Sequence, residues 1–292
     1  GPPSGGGITL LTALNILSYF GLGELQSDST ITYHLLAEAE RRGHNNRSHF
    51  IGDPEYFNVP VKKLLSKERT EELAKTINIK KASKSNAVKK LDYISESRDT
   101  THFSIIDSEG NAVSNTYTLG YSFGSGVTIP GTGILMNNQM NNFAYRYGDK
   151  SERGRSASTG NKFESGKKPM STMAPTMVFN NENNLMLITG SPGGTHIPAA
   201  ILRVITGIID FNLNIGDATM LPRVHKDWPS KGISYERILS SDTVTSLKII
   251  GHEITPEHTM GSTQSIHIID GVNYGYADLR RPNASVAIQQ AN

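Results

Sequence analysis

The chain has 292 residues, with 29 Lys or Arg and 27 Asp or Glu, so its formal net charge is only +2. This near balance predicts no nucleic-acid partner. The absence of cysteine excludes disulfides, thiolate metal sites and cysteine nucleophiles. No stretch comes near the run of about 20 apolar residues that a membrane-spanning helix needs.

Three helices are expected in the first eighty residues. Leucines recur at helical spacing over 8–20, behind an entry rich in Gly and Pro. Ser29 is a favourable cap for a second helix, which Gly43 and the two arginines before it are expected to end. Ser66 begins a third, charged helix that reaches Ile77.

A polar segment follows, and then the pattern changes to strands. Residues 80–97 are rich in Lys and Ser and lack apolar periodicity, which predicts a flexible linker over about 79–99. Residues 101–106 and 111–119 are β-rich runs joined by the turn sequence DSEG, which predicts a hairpin. Further elements are expected as a strand at 185–189, helices at 198–211, near 216 and ending at 244–250, and strands at 265–269 and 274–277. Helices around antiparallel strands indicate an α/β protein of the α+β type.

Thr100 stands where the linker meets the first strand. A cut between Asp99 and Thr100 would free an α-amine, which can act as the base for the hydroxyl of the same residue. If Gly110 takes the left-handed position of a three-residue hairpin loop, Thr100 falls opposite Thr118. Their hydroxyls would then be close enough to hydrogen-bond, although threonine-rich strands also occur without any such role.

The same residues carry a resemblance to a known family. The run TTHFSIIDSEGNAVSNTYTL from Thr100 to Leu119 closely resembles the start of the small subunit of γ-glutamyltranspeptidases. Further similar motifs follow in family order: GTGILMNNQM at 131–140, PMSTMAPT at 169–176, TGSPGG at 189–194 and MGSTQSI at 260–266. Upstream, PPSGGG, LLAEA, IGDP and VPVK extend the resemblance over nearly the whole chain.

The resemblance implies a fold and a chain organisation. The fold would be the four-layer αββα sandwich of the N-terminal-nucleophile hydrolases. Residues 1–99 would be the end of a large subunit and residues 100–292 an entire small subunit, both parts of one domain. The chain would then be the C-terminal part of a precursor whose remaining large-subunit segment is its partner. A periplasmic or secreted location is expected on the same ground.

The resemblance also assigns site residues. The amides of Gly193 and Gly194 would form an oxyanion hole, in a turn between a strand and a helix where backbone donors converge. A phosphate-binding Walker loop is excluded because Thr195 and His196 follow instead of Lys and Ser or Thr. By the residues alone, a plain turn is the favoured interpretation.

Substrate recognition is where the chain departs from the family. Gln139, Ser171 and Thr172 match the pattern and would hold the α-amino and α-carboxylate groups of a γ-glutamyl donor, although Thr172 stands where Ser is common. Asn142 stands in place of an Asp that binds the α-ammonium, and Gly120 in place of an Asn. An amide in place of a carboxylate weakens a charge-assisted bond by roughly 1–2 kcal/mol.

Two other kinds of site are rejected from the sequence. Ser122 lies in a G-x-S-x-G pattern, but the segment after it cannot form the helix that a nucleophile elbow requires. His252, Glu253 and His258 do not have the spacing of a metal motif, and Pro256 breaks any helix between them. Neither a metal nor a cofactor is expected, and His102 is interpreted as structural.

The expected function is therefore a self-processing hydrolase or transferase of γ-glutamyl amides such as glutathione. Thr100 would form the acyl-enzyme, and water or an acceptor amino acid or peptide would resolve it. One alternative is a related acylase that acts on another acyl amide, such as a glutaryl amide. A second is a non-catalytic paralogue with a binding or structural role.

Overall fold

A computed structural model describes residues 1–84, 99–147, 151–153, 158–228 and 232–289. The helices are α1 (Gly6–Leu17), α2 (Thr30–Phe50), α3 (Val61–Leu64), α4 (Lys67–Lys75), α5 (Ile197–Ile209), α6 (Ile215–Met220) and α7 (Ser241–Ile249). The strands are β1 (Thr100–Ile106), β2 (Ala112–Thr118), β3 (Tyr145–Tyr147), β4 (Ser151–Arg153), β5 (Thr176–Phe179), β6 (Leu185–Thr189), β7 (Val224–His225), β8 (Ile233–Glu236), β9 (Ile254–Glu257), β10 (Gln264–Ile269) and β11 (Val272–Ala277).

The predicted caps of α2 and α4 are confirmed, but the predicted end of α2 is wrong. The hydroxyls of Ser29 and Ser66 accept hydrogen bonds from backbone amides in the first turns of these helices. Helix α2 continues past Gly43 to Phe50. A Cβ on Gly43 would lie 2.5 Å from the carbonyl oxygen of Thr9. The glycine therefore allows α1 and α2 to approach closely, instead of ending the helix.

The core lies between a layer of helices and a four-stranded sheet. The sheet has the order β11-β10-β6-β5, and every neighbouring pair is antiparallel. Helix α6 contacts β10 and β11, and α5 packs against α1 and α6. One apolar cluster joins α1, α2 and α5 to Leu187 of the sheet. None of the helices in the described part of the chain is both long and apolar enough to cross a membrane.

The hairpin β1–β2 covers the other face of this sheet. Ser104 donates its hydroxyl to the carbonyl of Gln264 at 2.8 Å, and Ser114 donates to that of Thr189 at 2.9 Å. Helices, sheet and hairpin are thus three successive layers of the predicted sandwich. The outer face of the hairpin is apolar and exposed, through Phe103, Ile105, Val113 and Tyr117.

The linker predicted at about 79–99 falls mostly at 85–98, outside the described residues. Its first residues are hydrogen-bonded to the body of the protein. The amide of Ala82 donates to the carbonyl of Ile250 at 2.8 Å, and that of Ser83 to the Glu38 carboxylate at 3.0 Å. The folded part of the chain therefore extends further into the predicted linker than its composition indicates.

Candidate active site

The hairpin has the register that its turn sequence predicts. Gly110 has a φ of +85°, in the left-handed region that glycine adopts without strain. Asp107 pairs with Asn111, and the ladder continues until Thr100 lies opposite Thr118. The prediction that these two threonines face each other is confirmed.

The peptide bond before Thr100 is held by hydrogen bonds from the strand and turn that follow. The Thr118 hydroxyl donates to the carbonyl oxygen of Asp99 at 3.0 Å and accepts from the amide of Gly120 at 3.0 Å. The sequence predicted a hydrogen bond between this hydroxyl and that of Thr100. In the intact chain the Thr118 hydroxyl instead contacts the carbonyl that Thr100 would attack. Thr100 itself is buried, while Asp99 is exposed.

Two further groups fix the residues on either side of this bond. The Asp99 carboxylate accepts from the amide of Ser122 at 3.2 Å. On the other side, Arg281 donates from its guanidinium to the carbonyl of Thr100 at 3.0 Å. Arg281 could not be predicted as part of this site from the sequence, because it lies far along the chain and carries no motif.

A small pocket opens beside Thr100. It measures about 20 Å³, which is room for about one water molecule. Its lining consists of Thr100, Thr118, Gly120, Gln139, Asn142, Ser171, Thr172, Met173, Gly194 and Ile197. The structure thus brings the predicted nucleophile and the predicted substrate-binding residues to one place, with Asp99 and Gly193 directly adjoining them in sequence.

The recognition end of the pocket is a chain of neutral amides. The Asn142 side chain donates its Nδ2 hydrogen to Gln139 Oε1 at 2.6 Å, and Gln139 donates its own amide to the carbonyl of Thr118 at 3.3 Å. Asn161 donates to the backbone carbonyl of Asn142 at 2.8 Å. These amide contacts connect the recognition end directly to the strand that carries Thr118.

The PPSGGG segment at the start of the chain positions Ser171 and Thr172. The amide of Gly5 donates to the carbonyl of Ser171 at 2.9 Å, and the Ser4 hydroxyl donates to the carbonyl of Met173 at 2.6 Å. A Cβ on Gly6 would overlap the carbonyl oxygen of Thr172. Glycine is therefore needed where α1 begins against this wall of the pocket.

The glycine turn lies between β6 and α5, as predicted. Gly193 has a φ of +135° and Gly194 a φ of +58°, conformations that side chains rarely adopt. Gly194 lines the pocket, and a Cβ on Gly193 would lie 3.1 Å from the Cα of Gly261. A short 3₁₀ turn from Gly194 to His196 then leads into α5, so helix and turn amides lie near the pocket.

His102 and Ser122 are placed as the sequence interpretation expects of non-catalytic residues. The His102 nitrogens lie 2.7 Å from the Thr116 hydroxyl and 3.1 Å from that of Ser104, so both have partners. Burial lowers the pKa of His102 to about 4, so the ring is neutral near pH 7. Ser122 lies in a turn and is not followed by a helix.

Comparison with known proteins gives consistent matches. A family model described as gamma-glutamyltranspeptidase matches residues 1–288. The glutathione hydrolase proenzyme of Escherichia coli is 38% identical over 283 residues, which are 96% of this chain and 48% of the relative. The Acylase ACY 1 proenzyme of a Pseudomonas species is 32% identical over 290 residues, 98% of this chain and 49% of the relative.

A solved structure matches over the full length of the chain. The crystal structure of cephalosporin acylase from Bacillus halodurans has a TM-score of 0.83 at 27% identity, covering 100% of this chain and 51% of that one. The chain spans about half the length of the curated relatives it matches. The predicted fold class is confirmed as that of the N-terminal-nucleophile hydrolases. Together with the family model, these matches show that the chain belongs to the γ-glutamyltranspeptidase family.

Proposed function

We propose that this chain carries the catalytic centre of a self-processing γ-glutamyltranspeptidase-type hydrolase whose nucleophile is Thr100. The observation that carries the proposal is the hydrogen bond from the Thr118 hydroxyl to the Asp99 carbonyl. It polarises the carbonyl next to a buried threonine, at a pocket lined by the residues that the family pattern assigns to the substrate.

Processing would begin with an N-to-O acyl shift. The Thr100 oxygen attacks the Asp99 carbonyl carbon and gives up its proton, and the Thr118 hydroxyl stabilises the oxyanion that develops. The C–N bond then breaks, and the Thr100 nitrogen takes up a proton to become a free amine. Water hydrolyses the resulting ester, which leaves Asp99 as a new carboxyl terminus and Thr100 as a new amino terminus.

The free amine would then act as the base for catalysis. It takes the proton of the Thr100 hydroxyl as the oxygen attacks the γ-amide carbonyl of a donor such as glutathione. The amides of Gly193 and Gly194 would donate to the oxyanion, and the amine product departs with a proton. Water, or the amino group of an acceptor amino acid or peptide, resolves the acyl-enzyme.

The contacts of the intact bond support a zymogen. In the uncut chain the Thr118 hydroxyl is bonded to the Asp99 carbonyl, and the Thr100 nitrogen belongs to a peptide bond and cannot act as a base. Cleavage would release the Asp99 carbonyl from Thr118, so that this hydroxyl can orient the Thr100 oxygen. The two products, 1–99 and 100–292, would stay associated with the remaining large-subunit segment. A periplasmic or secreted location belongs to this proposal.

Intact mass and amino-terminal sequencing of the complete natural protein test the cleavage. We expect two associated pieces, of which one begins with Thr100. An intact chain, or a cut at another bond, contradicts the proposal.

The contact between Asn142 and Gln139 favours a second candidate, an acylase. Because neutral amides occupy the end of the pocket where a carboxylate would bind an α-ammonium, a donor without that charge also fits. The acylase relatives point in the same direction. A panel pairing γ-glutamyl and glutaryl amides decides between the two, because only a γ-glutamyl enzyme loses activity when the α-amine is removed.

A further inference from the structure

Two histidines and an aspartate meet in the interior, away from the Thr100 pocket. His44 lies on α2, His225 on β7, and Asp227 follows two residues later. All three are buried, with exposures of 0%, 4% and 8%. Their ligand-type atoms lie within 4.8 Å of one another. We call this group the His44 cluster.

The histidines of the His44 cluster are unusual because they lack hydrogen-bond partners. Both ring nitrogens of His44 and both of His225 are buried without a partner among the described residues. An unpaired buried polar atom costs roughly 1–3 kcal/mol. Four such atoms in two rings that pack edge to face, 5.1 Å apart, therefore call for an explanation.

A second buried histidine pair shows how buried imidazole nitrogens are usually satisfied, which is by hydrogen bonds within the protein. His34 and His252 share a hydrogen bond of 2.7 Å, and the other nitrogen of His34 lies 3.0 Å from the carbonyl of Asn78. The nearby Glu38 is bound by Arg42. Because these groups satisfy one another, their histidines need no ligand.

The spacing within the His44 cluster is that of ligands around one ion. His44 Nδ1 lies 3.5 Å from Asp227 Oδ1, which is long for a hydrogen bond. Two ligands held 2.0–2.1 Å from a tetrahedral zinc ion are roughly 3.3–3.4 Å apart. Two imidazoles and one carboxylate are also a donor set that zinc commonly takes, with water as the fourth ligand.

The surroundings supply the charge and orientation that such a site needs. Glu40 Oε2 lies 3.6 Å from His225 Nδ1, on the side where a carboxylate usually faces the second nitrogen of a metal-bound histidine. The amide of Lys226 donates to the same oxygen at 2.9 Å and holds it there. The ring nitrogens of His44 are available to a metal ion, because neither has a hydrogen-bond partner among the described residues. The positive charge of Arg47, one turn along α2, acts against a cation at this place, and the charge of Asp227 acts in its favour.

We propose that the His44 cluster is a zinc site, with His44, His225 and Asp227 as ligands and Glu40 behind His225. The ion would join α2 to the segment after α6. If the chain is cut before Thr100, it would hold the two pieces together, a role that rests on the proposed function. The site also adjoins the glycine turn, because the ring of His196 lies 4.4 Å from that of His225.

Zinc content and affinity of the complete natural protein test the proposal. Elemental analysis should give about one zinc per chain after exposure to Zn²⁺ and removal of excess. Co²⁺ in its place should show the intense visible absorption of a four-coordinate site. Asp227→Asn, which keeps the side-chain volume, and His44→Ala should each weaken Zn²⁺ binding by more than about 100-fold. Glu40→Gln should weaken it by about 10–100-fold.

The matched controls separate this site from other histidines. His252→Gln changes the hydrogen-bonded pair and His258→Ala an exposed histidine, so both should retain the zinc. Thr100→Ala should retain it too, so a failure of cleavage is distinguishable from a failure of metal binding. Protein without zinc, or zinc retained at unchanged affinity by both His44→Ala and Asp227→Asn, overturns the proposal.

Discussion

The Thr100 pocket has a nucleophile end, at the bond before Thr100, and a recognition end, at Gln139 and Asn142. In the intact chain the two ends differ in the groups that they present. At the nucleophile end, charged and polar groups already hold the bond before Thr100, through Thr118, Arg281 and the amide of Ser122. At the recognition end, Gln139 and Asn142 bond to each other as neutral amides. The first arrangement suits a reaction within the chain, while the second presents no charged side chain among the described residues that line the pocket.

Under the proposed function, self-processing and substrate choice would depend on separate groups. The strand register and the Thr118 hydroxyl would set the first, whereas the side chains after Gly120 would set the second. Substitutions at the nucleophile end should therefore act on processing, and substitutions at the recognition end on KM. The predictions below test this separation.

The largest effect is expected from Thr100→Ala, which should abolish processing because no hydroxyl remains to form the ester. Denaturing electrophoresis should show one chain that persists for days. Thr101→Ala is the matched control, since its side chain is exposed on the opposite face of β1, and it should be cut normally. A Thr100→Ala chain that still splits at this bond would remove Thr100 from the mechanism.

Thr118→Val should slow processing by about 10²–10³-fold, the usual cost of losing one donor to an oxyanion. Valine keeps the shape of threonine and fits a strand, so the hairpin should remain intact. The rate of appearance of the Thr100 terminus measures the effect, and Thr118→Ser, which keeps the hydroxyl, should process at nearly the normal rate. Unchanged processing in the valine variant would show that the contact with Asp99 is incidental.

Acid should loosen the strand that carries the nucleophile through His102. The pKa of His102 is lowered to about 4 by burial, below the value of about 6.5 in an unfolded chain. The unfolded state therefore binds the proton more tightly, and stability is lost as the pH falls from about 6.5 to 4. Between pH 6.5 and 5 the loss is about 1.6 kcal/mol.

Urea unfolding at these two pH values measures the loss of stability. The His102→Gln variant should lose less stability than the wild type, and the difference should be close to the contribution of His102. Other buried histidines respond in the same direction, so the difference between wild type and variant is the informative quantity. An identical pH dependence of stability in both proteins would contradict the lowered pKa of His102.

The smallest effect is expected at the recognition end. Asn142→Asp should lower KM for a γ-glutamyl anilide by roughly five- to thirty-fold, because a carboxylate binds an α-ammonium about 1–2 kcal/mol more tightly than an amide does. The value of kcat should change little, and a donor without the α-amine should gain nothing. Unchanged or weaker binding of glutamyl donors would favour the acylase alternative.

The parts of the structure that follow local rules could be predicted from the sequence. The turn at Gly110 determines the hairpin register, and the hydroxyls of Ser29 and Ser66 begin α2 and α4. Gly43 misled the prediction because its role is a close contact with Thr9, in another helix. The strands β7, β8 and β9 were missed because they are short and pair with one another in a separate small sheet.

Contacts between distant residues could not be predicted in the same way. Arg281 reaches Thr100 from 181 positions away, and His44 meets His225 across a similar distance. Neither pair has a spacing that a motif could describe. The hydrogen bond from Thr118 to the Asp99 carbonyl was missed for another reason. The register of the hairpin determines which residues lie opposite each other, but it does not determine which acceptor a hydroxyl contacts. In the uncut chain the Asp99 carbonyl is still attached to Thr100 and lies within reach of the Thr118 hydroxyl.

The most direct test of the central claim is to trap the acyl-enzyme. The processed protein is mixed with a γ-glutamyl donor, quenched in acid within milliseconds and digested, and the peptides are weighed. The account predicts that the acyl group is on the peptide that begins with Thr100, as an ester that hydroxylamine removes. An acyl group on another residue, such as Ser122, or turnover of the donor by a Thr100→Ala chain, would contradict it.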